Sequence, residues 1–378
     1  MIGTNIREVR AERGLSLREV AARIRSAARI EGLDYTAIQR IEAGKRKVAS
    51  HELAELAEVL ETTTARLFGG KGRSPALSLA LRVSTDVPTD TLSDVQHRVV
   101  EILEAEDILE RLVGPLGTAR APAFEPVPKT RTGGKALAGQ VRAALDLGSA
   151  PIADLTMIVE SAFGAHVSHE PLASGTHGFC VTGEGTGVVI VNSNDVYGRQ
   201  RFTLAHELCH LIVDDLQTYE VVGEQVLRSA GAEGRADDFA AHFLAPDAGI
   251  RQMASGPVDA VGAIRLAHGF GMSLTAMLNR LRDLKLISPT TAEEAQREGP
   301  RRLSMLAGLT DDYRSQEAKV GRFAPPGRLT ELATAAYNKG EIGPGLLAAI
   351  VGEQQFESVK ASWGVDEHDD LGYQSHLA

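Results

Sequence analysis

Apolar residues recur at helical spacing along most of this chain, and strand-like runs are confined to one short region near its middle. Residues 4–69 contain several short amphipathic segments separated by turn signals, with no strand pattern among them. Five short helices fit this stretch. The pattern therefore predicts an all-helical N-terminal domain.

Start and stop signals locate three of these helices. Ser16 and Glu19 form a capping box, because the serine hydroxyl can accept from the backbone N–H of Glu19 while the carboxylate returns to the cap. Another helix should run from Asp34 to Gly44, a glycine suited to a left-handed C-cap. A third is predicted from Ser50 through HELAELAEVL.

The segments that follow have the character of a connector. Residues 70–91 are polar with Gly and Pro, and residues 92–113 form one amphipathic helix that could bridge domains or pair two chains. Residues 114–135 are rich in Pro, Gly and Thr without periodicity. We therefore predict a linker there.

A mixed region begins at residue 136. Two helices are predicted first, over 136–147 and 153–164. Three short strands rich in β-branched residues should follow, over 165–170, 177–183 and 186–193. The pattern is helical again over residues 201–215, 233–246, 259–288, 329–340 and 344–356, and it ends in an acidic tail.

Charge and cysteine content narrow the partners and the compartment. The net charge is -10, but residues 1–73 hold 14 Lys/Arg against 10 Asp/Glu, so only this end suits a polyanion. No apolar run approaches the roughly 18 residues that a membrane span needs, and the charged start lacks an export signal's apolar core. Cys180 and Cys209 are too few for a disulfide framework. We expect a cytoplasmic protein without a membrane partner.

The candidate chemistry lies in RFTLAHELCHLIVDD, residues 201–215. Residues four apart share one helix face, so His206 and His210 can present two imidazoles to one ion. Glu207, about 100° round the helix, could take a proton from a water at an open position, as in catalytic zinc sites. The competing interpretation is two histidines packed in an apolar core; the glutamate between them favours zinc.

A third protein ligand should come from the helix over 233–246, which offers Glu233, Asp237 and Asp238. We favour Glu233 as the ligand, with Asp237 one turn later accepting from an imidazole N–H. Spacing alone supports this assignment no better than it supports a solvated acidic helix face.

RFTLAHELCH followed by E-x-x-A-D-x-F-A-A-x-x-L-A-P resembles the ImmA/IrrE family of zinc metallopeptidases, whose motifs typically read RFTLAHELGH and E-x-x-A-N-x-F-A-A-x-L-L-M-P. The upstream GFC and VVIVN and the downstream RLAHGFGMSLTAMLNRLRDLKLIS are also similar, so the resemblance covers roughly 136–290. It implies that His206, His210 and Glu233 bind Zn²⁺ and that Glu207 is the general base.

Three departures from the family pattern remove neither a ligand nor the base: Cys209 stands for Gly, Asp237 for Asn and Ala245 for Met. Cys209 puts a thiol beside a ligand histidine, where oxidation or metal capture is conceivable, although free cysteine behaves mainly as a small buried hydrophobe. Zincin-like sites commonly bind an extended peptide at an exposed strand edge, and Thr186–Asn192 is the candidate by position.

The segments IREVRAERGLSLREVAARI, YTAIQRIEAGKRK and ASHELAELAEVLETTTARLF resemble the lambda-repressor-like (Cro/CI, XRE-type) helix-turn-helix domain. In such a domain one helix crosses the DNA backbone and the next places side chains in the major groove. The link RSAARIEGLD is longer than the family's tight turn, which could alter docking. An ordinary helical bundle, or recognition of a partner repressor, is the alternative.

The resemblance implies a set of DNA contacts. Ile38 and Ile41 should pack inward. Base edges are expected to meet Thr36, Gln39 and Arg40, and phosphates to meet Arg18, Lys45, Arg46 and Lys47. Because such modules often work as dimers, a homodimer is suggested.

The sequence thus predicts a mostly helical α+β protein with four parts. These are a five-helix helix-turn-helix domain over 1–72, a connector and linker over 73–135, a zincin-like metallopeptidase domain with a small β-sheet over 136–298, and a helical C-terminal region of open role over 299–378.

The function that the resemblance implies is a regulatory protease that cleaves a specific protein, typically a transcriptional repressor. The first alternative is a DNA-binding regulator whose metal domain is a sensor or a structural unit. Glu207 favours the enzyme, because a structural zinc site has no use for a base. A pure interaction protein with an accidental motif is the third hypothesis.

Overall fold

The computed structural model describes residues 2–27, 33–46, 48, 50–60, 62, 67, 82–83, 89–117, 121–183, 186–213, 217–218, 230–254, 256–352 and 356. The chain forms two compact units, one from Met1–Ser78 with Pro88–Pro115 and the other from Leu79–Val87 with Leu116–Ala378. The finer four-part division stays a prediction.

Helices build the described part of the first unit. They are α1 Ile2–Glu12, α2 Leu17–Ala27, α3 Tyr35–Glu42, α4 Ser50–Val59 and α5 Thr89–Val113. These confirm the helices predicted from the capping signals and the long helix after residue 91. The last short helix expected before residue 69 falls mostly outside the described residues.

The capping interactions form as the sequence predicts. The backbone N–H of Glu19 donates to Ser16 Oγ at 3.2 Å, and that of Ser16 donates to Glu19 Oε2 at 2.6 Å. Asp34 accepts from the N–H of Ala37 at 2.7 Å, and Gly44 takes the left-handed conformation with φ 68°. Local side-chain chemistry therefore sets where these helices begin and end.

An arginine–glutamate pair joins the ends of α1 and α3. Arg10 donates to both carboxylate oxygens of Glu42, at 2.6 and 2.9 Å, and to the carbonyl of Leu15 at 2.8 Å. The hydrogen bond to Glu42 raises the pKa of Arg10. A side chain at Gly3 would meet the Ile41 carbonyl at 1.9 Å, so α1 lies directly against the backbone of α3. The pairing fixes the orientation of α3.

The second unit contains the strands β1 Arg82–Val83, β2 His166–Glu170, β3 Gly178–Gly183, β4 Thr186–Asn192 and β5 Gln217–Thr218. Its helices are α6 Arg131–Ala144, α7 Leu155–Phe163, α8 Tyr197–Val213, α9 Ala230–Leu244, α10 Asp247–Met253, α11 Ala260–Phe270, α12 Leu274–Asp283, α13 Pro289–Leu306, α14 Thr310–Glu317, α15 Gly327–Asn338 and α16 Pro344–Val351. The three predicted strands and the mostly helical α+β class are confirmed.

The sheet corrects one sequence prediction. Its strand order is β2-β4-β3-β1-β5, with β2 and β4 parallel and the other pairs antiparallel. Val189 of β4 pairs with Val167 on one side and Cys180 on the other, so Thr186–Asn192 is an interior strand. The prediction of an exposed edge there was wrong. A continuous apolar run marks a strand that is covered on both faces.

The predicted linker ends earlier than expected, because α6 begins at Arg131 rather than at residue 136. Gly134 belongs to the first turns of this helix and is buried against α9. A Cβ added to Gly134 would lie 2.2 Å from the carbonyl oxygen of Arg235. Gly134, counted as part of a flexible linker from the sequence, instead permits two helix backbones to approach closely.

The core of this unit lies between the sheet, α8 and α9. Leu204 and Leu208 of α8 and Phe239 and Phe243 of α9 are at most 1% exposed, and they share one apolar cluster with the central strands. Burial of such side chains supplies most of the packing energy. Helix α8 is therefore held on one side by the sheet and on another by α9.

The chain beyond this core returns to the sheet. Ala324 and His169 exchange two backbone hydrogen bonds, of 2.8 and 3.0 Å, and the N–H of Gly321 donates to the carbonyl of Ser193 at 2.7 Å. The segment after α14 thus lies beside β2 and is an integral part of the second unit.

Among the described residues no single helix is long and apolar enough to cross a membrane. Only α11 and α12 taken together reach that length and apolarity, and they meet at an angle of 110°.

The close approach of α6 to α9 gives the first testable prediction. Gly134→Ala should destabilise the second unit by about 1–3 kcal/mol, because a methyl group there forces the two helices apart. Gly139→Ala on the same helix is the matched control, since nothing lies within 4 Å of its added Cβ. The control should gain about 0.5–1 kcal/mol from helix propensity. Urea unfolding of both variants measures the difference, and equal effects would contradict the packing argument.

Candidate metal centre

Helix α8 presents two histidines on the side that its core-facing leucines leave open. His206 and His210 are four residues apart, so they lie one above the other on the helix. Glu233 comes from the first turn of α9. The structure brings these three side chains together, with exposures of 16%, 3% and 24%.

The candidate ligand groups form a triangle with sides of similar length, in which a different carboxylate oxygen of Glu233 faces each histidine. Nε2 of His206 lies 3.2 Å from Nε2 of His210 and 3.4 Å from Glu233 Oε2, and His210 Nε2 lies 3.6 Å from Glu233 Oε1. An ion with about 2.1 Å bonds and tetrahedral angles separates its ligand atoms by about 3.4 Å. Each of the three side chains offers one ligand atom within 4.8 Å of the other two, a spacing that suits one zinc-sized cation.

Asp237 orients one of the histidines. Nδ1 of His206 lies 3.0 Å from Asp237 Oδ1, one turn after Glu233 on α9. The carboxylate only accepts, so Nδ1 carries a proton, and a cation that displaced the proton on Nε2 would meet the lone pair of that nitrogen. The hydrogen bond from His206 lowers the pKa of Asp237. This is the contact expected from the sequence spacing.

The charges around His206 favour a cation at this position. Burial alone would lower the pKa of His206, but hydrogen bonds to Asp237 and Glu233 and the charge of Glu207 raise it to about 10. The carboxylates that stabilise a proton on His206 are the same ones that would stabilise a metal ion at this position.

Glu207 is 3% exposed and borders an open cleft of about 370 Å³ that also contains His206, Glu233 and Asp237. The other wall comes from α12 through Ser273, Thr275, Ala276 and Asn279. Glu207 therefore lies where a substrate in the cleft would pass the candidate ligands.

Two further cleft residues, which were not among the predicted site residues, lie at a helical spacing from His206 that could have indicated them. Arg199 and Thr203 precede His206 by seven and three residues, so they continue the same face of α8. Nη1 of Arg199 lies 2.9 Å from His177 Nε2, whose Nδ1 lies 2.8 Å from Asp195. His177 comes from a separate segment, and no periodicity could have placed it there.

Both cysteines are buried in the core of the second unit. Cys209 belongs to the apolar cluster on α8, and Cys180 lies in β3, with both side chains at 0% exposure. Burial and the nearby charge of Glu207 raise the pKa of Cys180 well above its usual value. A neutral buried thiol is a poor nucleophile. The redox role considered for Cys209 stays a prediction.

The far end of α9 is anchored through backbone carbonyls. Arg142 of α6 donates to the carbonyl of Phe243 at 2.5 Å. Arg280 of α12 donates to the carbonyl of Ala245 at 3.0 Å and pairs with Asp247. These contacts satisfy carbonyls that the end of a helix leaves open. They hold α9 in place, and hence the position of Glu233.

In the first unit, α3 shows the predicted division between inside and outside. Ile38 and Ile41 are at most 2% exposed, whereas Thr36, Gln39 and Arg40 are exposed. These three side chains are therefore free to meet a partner surface.

The basic residues around α3 differ in their availability. Arg18 is exposed, with its guanidinium carbon 6.0 Å from the ring centroid of Tyr35, and Lys45 is also exposed. Arg46 pairs with Glu52 at 2.6 Å, so the expected phosphate contact would have to compete with this ion pair. Lys47 and part of the link before α3 lie outside the described residues.

The arrangement of these elements defines a class. Two histidines and an intervening glutamate on one helix, a third carboxylate on the next helix and a small adjoining sheet are typical of zincin-like metallopeptidase domains. An exposed recognition-type helix on a small helical unit is typical of DNA-binding domains.

Comparison with protein families agrees with this class. Residues 160–282 match the M78 peptidase family model described as the IrrE N-terminal-like domain, and residues 6–67 match a helix-turn-helix family model. Both resemblances noted from the sequence are confirmed. The chain combines a helix-turn-helix domain with a domain of the M78 peptidase family. A search of curated proteins found no match.

The triangle and its support give the second testable prediction. The full chain should bind about one zinc ion, and Asp237→Ala should weaken zinc affinity about 10- to 100-fold, because His206 loses the acceptor that orients it. Asp237→Asn keeps an acceptor oxygen, so its zinc affinity should fall much less. Competition with a chromophoric chelator measures both affinities. Equal losses in the two variants would show that the hydrogen bond does not orient the ligand.

Proposed function

We propose that this protein is a zinc-dependent regulatory endopeptidase that cleaves a specific protein and binds DNA through its helix-turn-helix domain. The observation that carries the proposal is the triangle of His206, His210 and Glu233, of which His206 and Glu233 line an open cleft together with Glu207. A structural metal site has no need of either the open cleft or the additional carboxylate.

Each side chain has a definite part in the proposed reaction. Zinc would be held by His206, His210 and Glu233 and would polarise the scissile carbonyl and lower the pKa of a water. Glu207 would accept the proton of that water and deliver it to the departing amine, as a general base and then a general acid. Asp237 would keep His206 in the tautomer that binds metal.

The strand that borders the cleft is β3 rather than β4. Gly178 lines the cleft, and a Cβ on this residue would lie 2.6 Å from Thr203 Cγ2 of α8. We therefore place the substrate peptide in an extended conformation along the cleft between the start of β3 and α12. An extended conformation of this kind is available to an unfolded or locally extended segment of a protein.

A directed cleavage fits the domain combination better than general degradation. Binding of the helix-turn-helix domain to DNA would hold the attached peptidase-family domain close to other DNA-bound proteins. The local concentration of a DNA-bound repressor around the peptidase domain would then be high. The substrate class, a transcriptional repressor, comes by analogy with the family resemblance.

A DNA-binding regulator with little hydrolysis is the second candidate. The observation in its favour is the exposed face of α3 with Thr36, Gln39 and Arg40, because DNA binding through this face does not require peptide hydrolysis. The two candidates differ in what Glu207 does, and this difference can be tested.

The third testable prediction concerns cleavage. The zinc-loaded chain should cleave a helix-turn-helix repressor encoded beside it, and Glu207→Gln should slow cleavage at least about 100-fold because no base remains. Electrophoresis of the repressor over time measures the rate. Metal analysis should find zinc content unchanged in Glu207→Gln.

The matched control is Glu293→Gln, an exposed glutamate of α13 outside the cleft, which should cleave like the wild type. Cleavage that persists in Glu207→Gln refutes the assigned base. If the wild type cleaves none of the repressors tested, the regulator hypothesis is favoured instead.

The fourth testable prediction concerns DNA. Gln39→Ala and Arg40→Ala should each reduce the preference for a selected operator over scrambled DNA by about 1–3 kcal/mol, because they remove base contacts. Lys45→Ala should weaken binding to the operator and to scrambled DNA alike, because it removes a phosphate contact. The slope of log affinity against log salt concentration should fall by about one.

Fluorescence anisotropy at several salt concentrations separates these effects. Arg25→Ala, which removes an exposed charge from the far end of α2, is the control and should change the operator preference little. Sequence-blind binding by wild type and variants alike would exclude α3 as a recognition helix.

A further inference from the structure

A second cavity, of about 480 Å³, lies on the side of α8 that faces away from the candidate metal ligands. We call it the rear cavity. Gln200 and Leu204 line it, and Leu204 is about 200° round the helix from His206. Its outer wall is the segment over residues 319–324. The match to the peptidase family ends at residue 282, so it does not include this wall.

The wall of the rear cavity is fixed to the fold at both ends. Gly321 donates to the carbonyl of Ser193, and Ala324 exchanges two hydrogen bonds with His169 of β2. Both anchors join segments that are more than a hundred residues apart in sequence. The cavity therefore has a definite shape that the C-terminal region and the start of α8 build together.

The outer wall brings unpaired positive charge to the cavity. Lys319 and Arg322 line it, and neither has a carboxylate within ion-pair distance among the residues that the structure describes. Nζ of Lys319 lies 4.1 Å from the ring centroid of Tyr197, the first residue of α8. The one acidic side chain in the lining, Asp154, already accepts from the N–H of Met157 at 2.9 Å. In a chain of net charge -10, this is a local excess of cations.

The inner wall of the cavity carries a directed acceptor. Gln200 donates through Nε2 to the carbonyls of Ser193 and Asp195, at 2.9 and 2.8 Å, which leaves its Oε1 as an acceptor. Nδ1 of His169 lies 3.2 Å from that oxygen and must therefore donate. Nε2 of His169 is then an acceptor, and the Thr156 hydroxyl lies 3.4 Å from it, farther than in a normal hydrogen bond.

Burial is consistent with this tautomer. It lowers the pKa of His169, which keeps the ring neutral at ordinary pH. The cavity thus offers two cations at its outer wall, one neutral acceptor at its inner wall and apolar surface from Leu155, Leu204 and Phe323 between them.

We propose that the rear cavity binds a small hydroxylated organic anion, with its carboxylate or phosphate group held by Lys319 and Arg322 and its hydroxyl group donating to Nε2 of His169. Such a ligand would touch Tyr197, Gln200 and Leu204 and would so reach the helix that carries the candidate metal ligands from behind. The site is independent of whether the front cleft hydrolyses peptides.

Isothermal titration of the full zinc-loaded chain with three probes tests this site. Glycerol 3-phosphate and 3-hydroxybutyrate carry both the anion and the hydroxyl, and inorganic phosphate carries the anion without the carbon body. We expect binding at millimolar or lower concentration of at least one hydroxylated probe and weaker binding of inorganic phosphate. Preference between the first two probes identifies phosphate or carboxylate as the recognised group.

Variants locate the binding. Lys319→Ala with Arg322→Ala should reduce affinity at least tenfold, whereas Arg297→Ala, an exposed arginine of α13 that does not line the cavity, should leave it unchanged. Binding should persist in His206→Ala, which separates the rear cavity from an anion held at the metal centre. The proposal is overturned if no probe binds at millimolar concentration, if the double variant binds like the wild type, or if His206→Ala abolishes binding.

Discussion

The position of Glu233 relative to His206 and His210 is the constraint on which the second unit depends. Three groups that compete for protons must stand 3.2–3.6 Å apart on two different helices, and a shift of one helix by an ångström would destroy the triangle. The fold meets this requirement by packing α9 against both α8 and α6. Glycine at position 134 permits the α6 contact, because any larger residue would strike the backbone of α9.

Buried arginines add to the support of the second unit. Arg142 and Arg201 donate to backbone carbonyls, and Arg280 donates to the carbonyl of Ala245 as well as to Asp247. Burial lowers the pKa of Arg142, because desolvation disfavours its charged form. The carboxylates of Glu233 and Asp237 face the histidines, where they create a site that favours positive charge.

The C-terminal region has a structural part in this arrangement. Its segment over residues 319–324 continues past α14 to β2 and covers the start of α8. The same helix thus has two surfaces with different chemistry. The front carries histidines and carboxylates, and the back meets lysine, arginine and a neutral histidine. A helix held from both sides can transmit a small displacement at one surface to the other, because a packed core does not deform continuously.

Features set within one or two turns of chain were predictable from the sequence. The capping box at Ser16, the caps of α3, the strands and the i, i+4 histidines depend on neighbours close in sequence, and the structure has them where the pattern predicts. Glu233 was only one of three candidates by spacing, and the family resemblance favoured it before the geometry brought it to the histidines.

What the sequence left open, or predicted wrongly, depends on contacts between distant segments. Gly134 is indistinguishable from a linker glycine until Arg235 is placed against it, and Thr186–Asn192 is an edge or an interior strand only by its partners. Likewise, Arg46 is available to a phosphate or held by Glu52 according to how the loop packs. Periodicity and capping are local, so the sequence determined the elements and the metal-binding pair. Packing across more than a hundred residues decided the third ligand's position, the order of the sheet and the rear cavity.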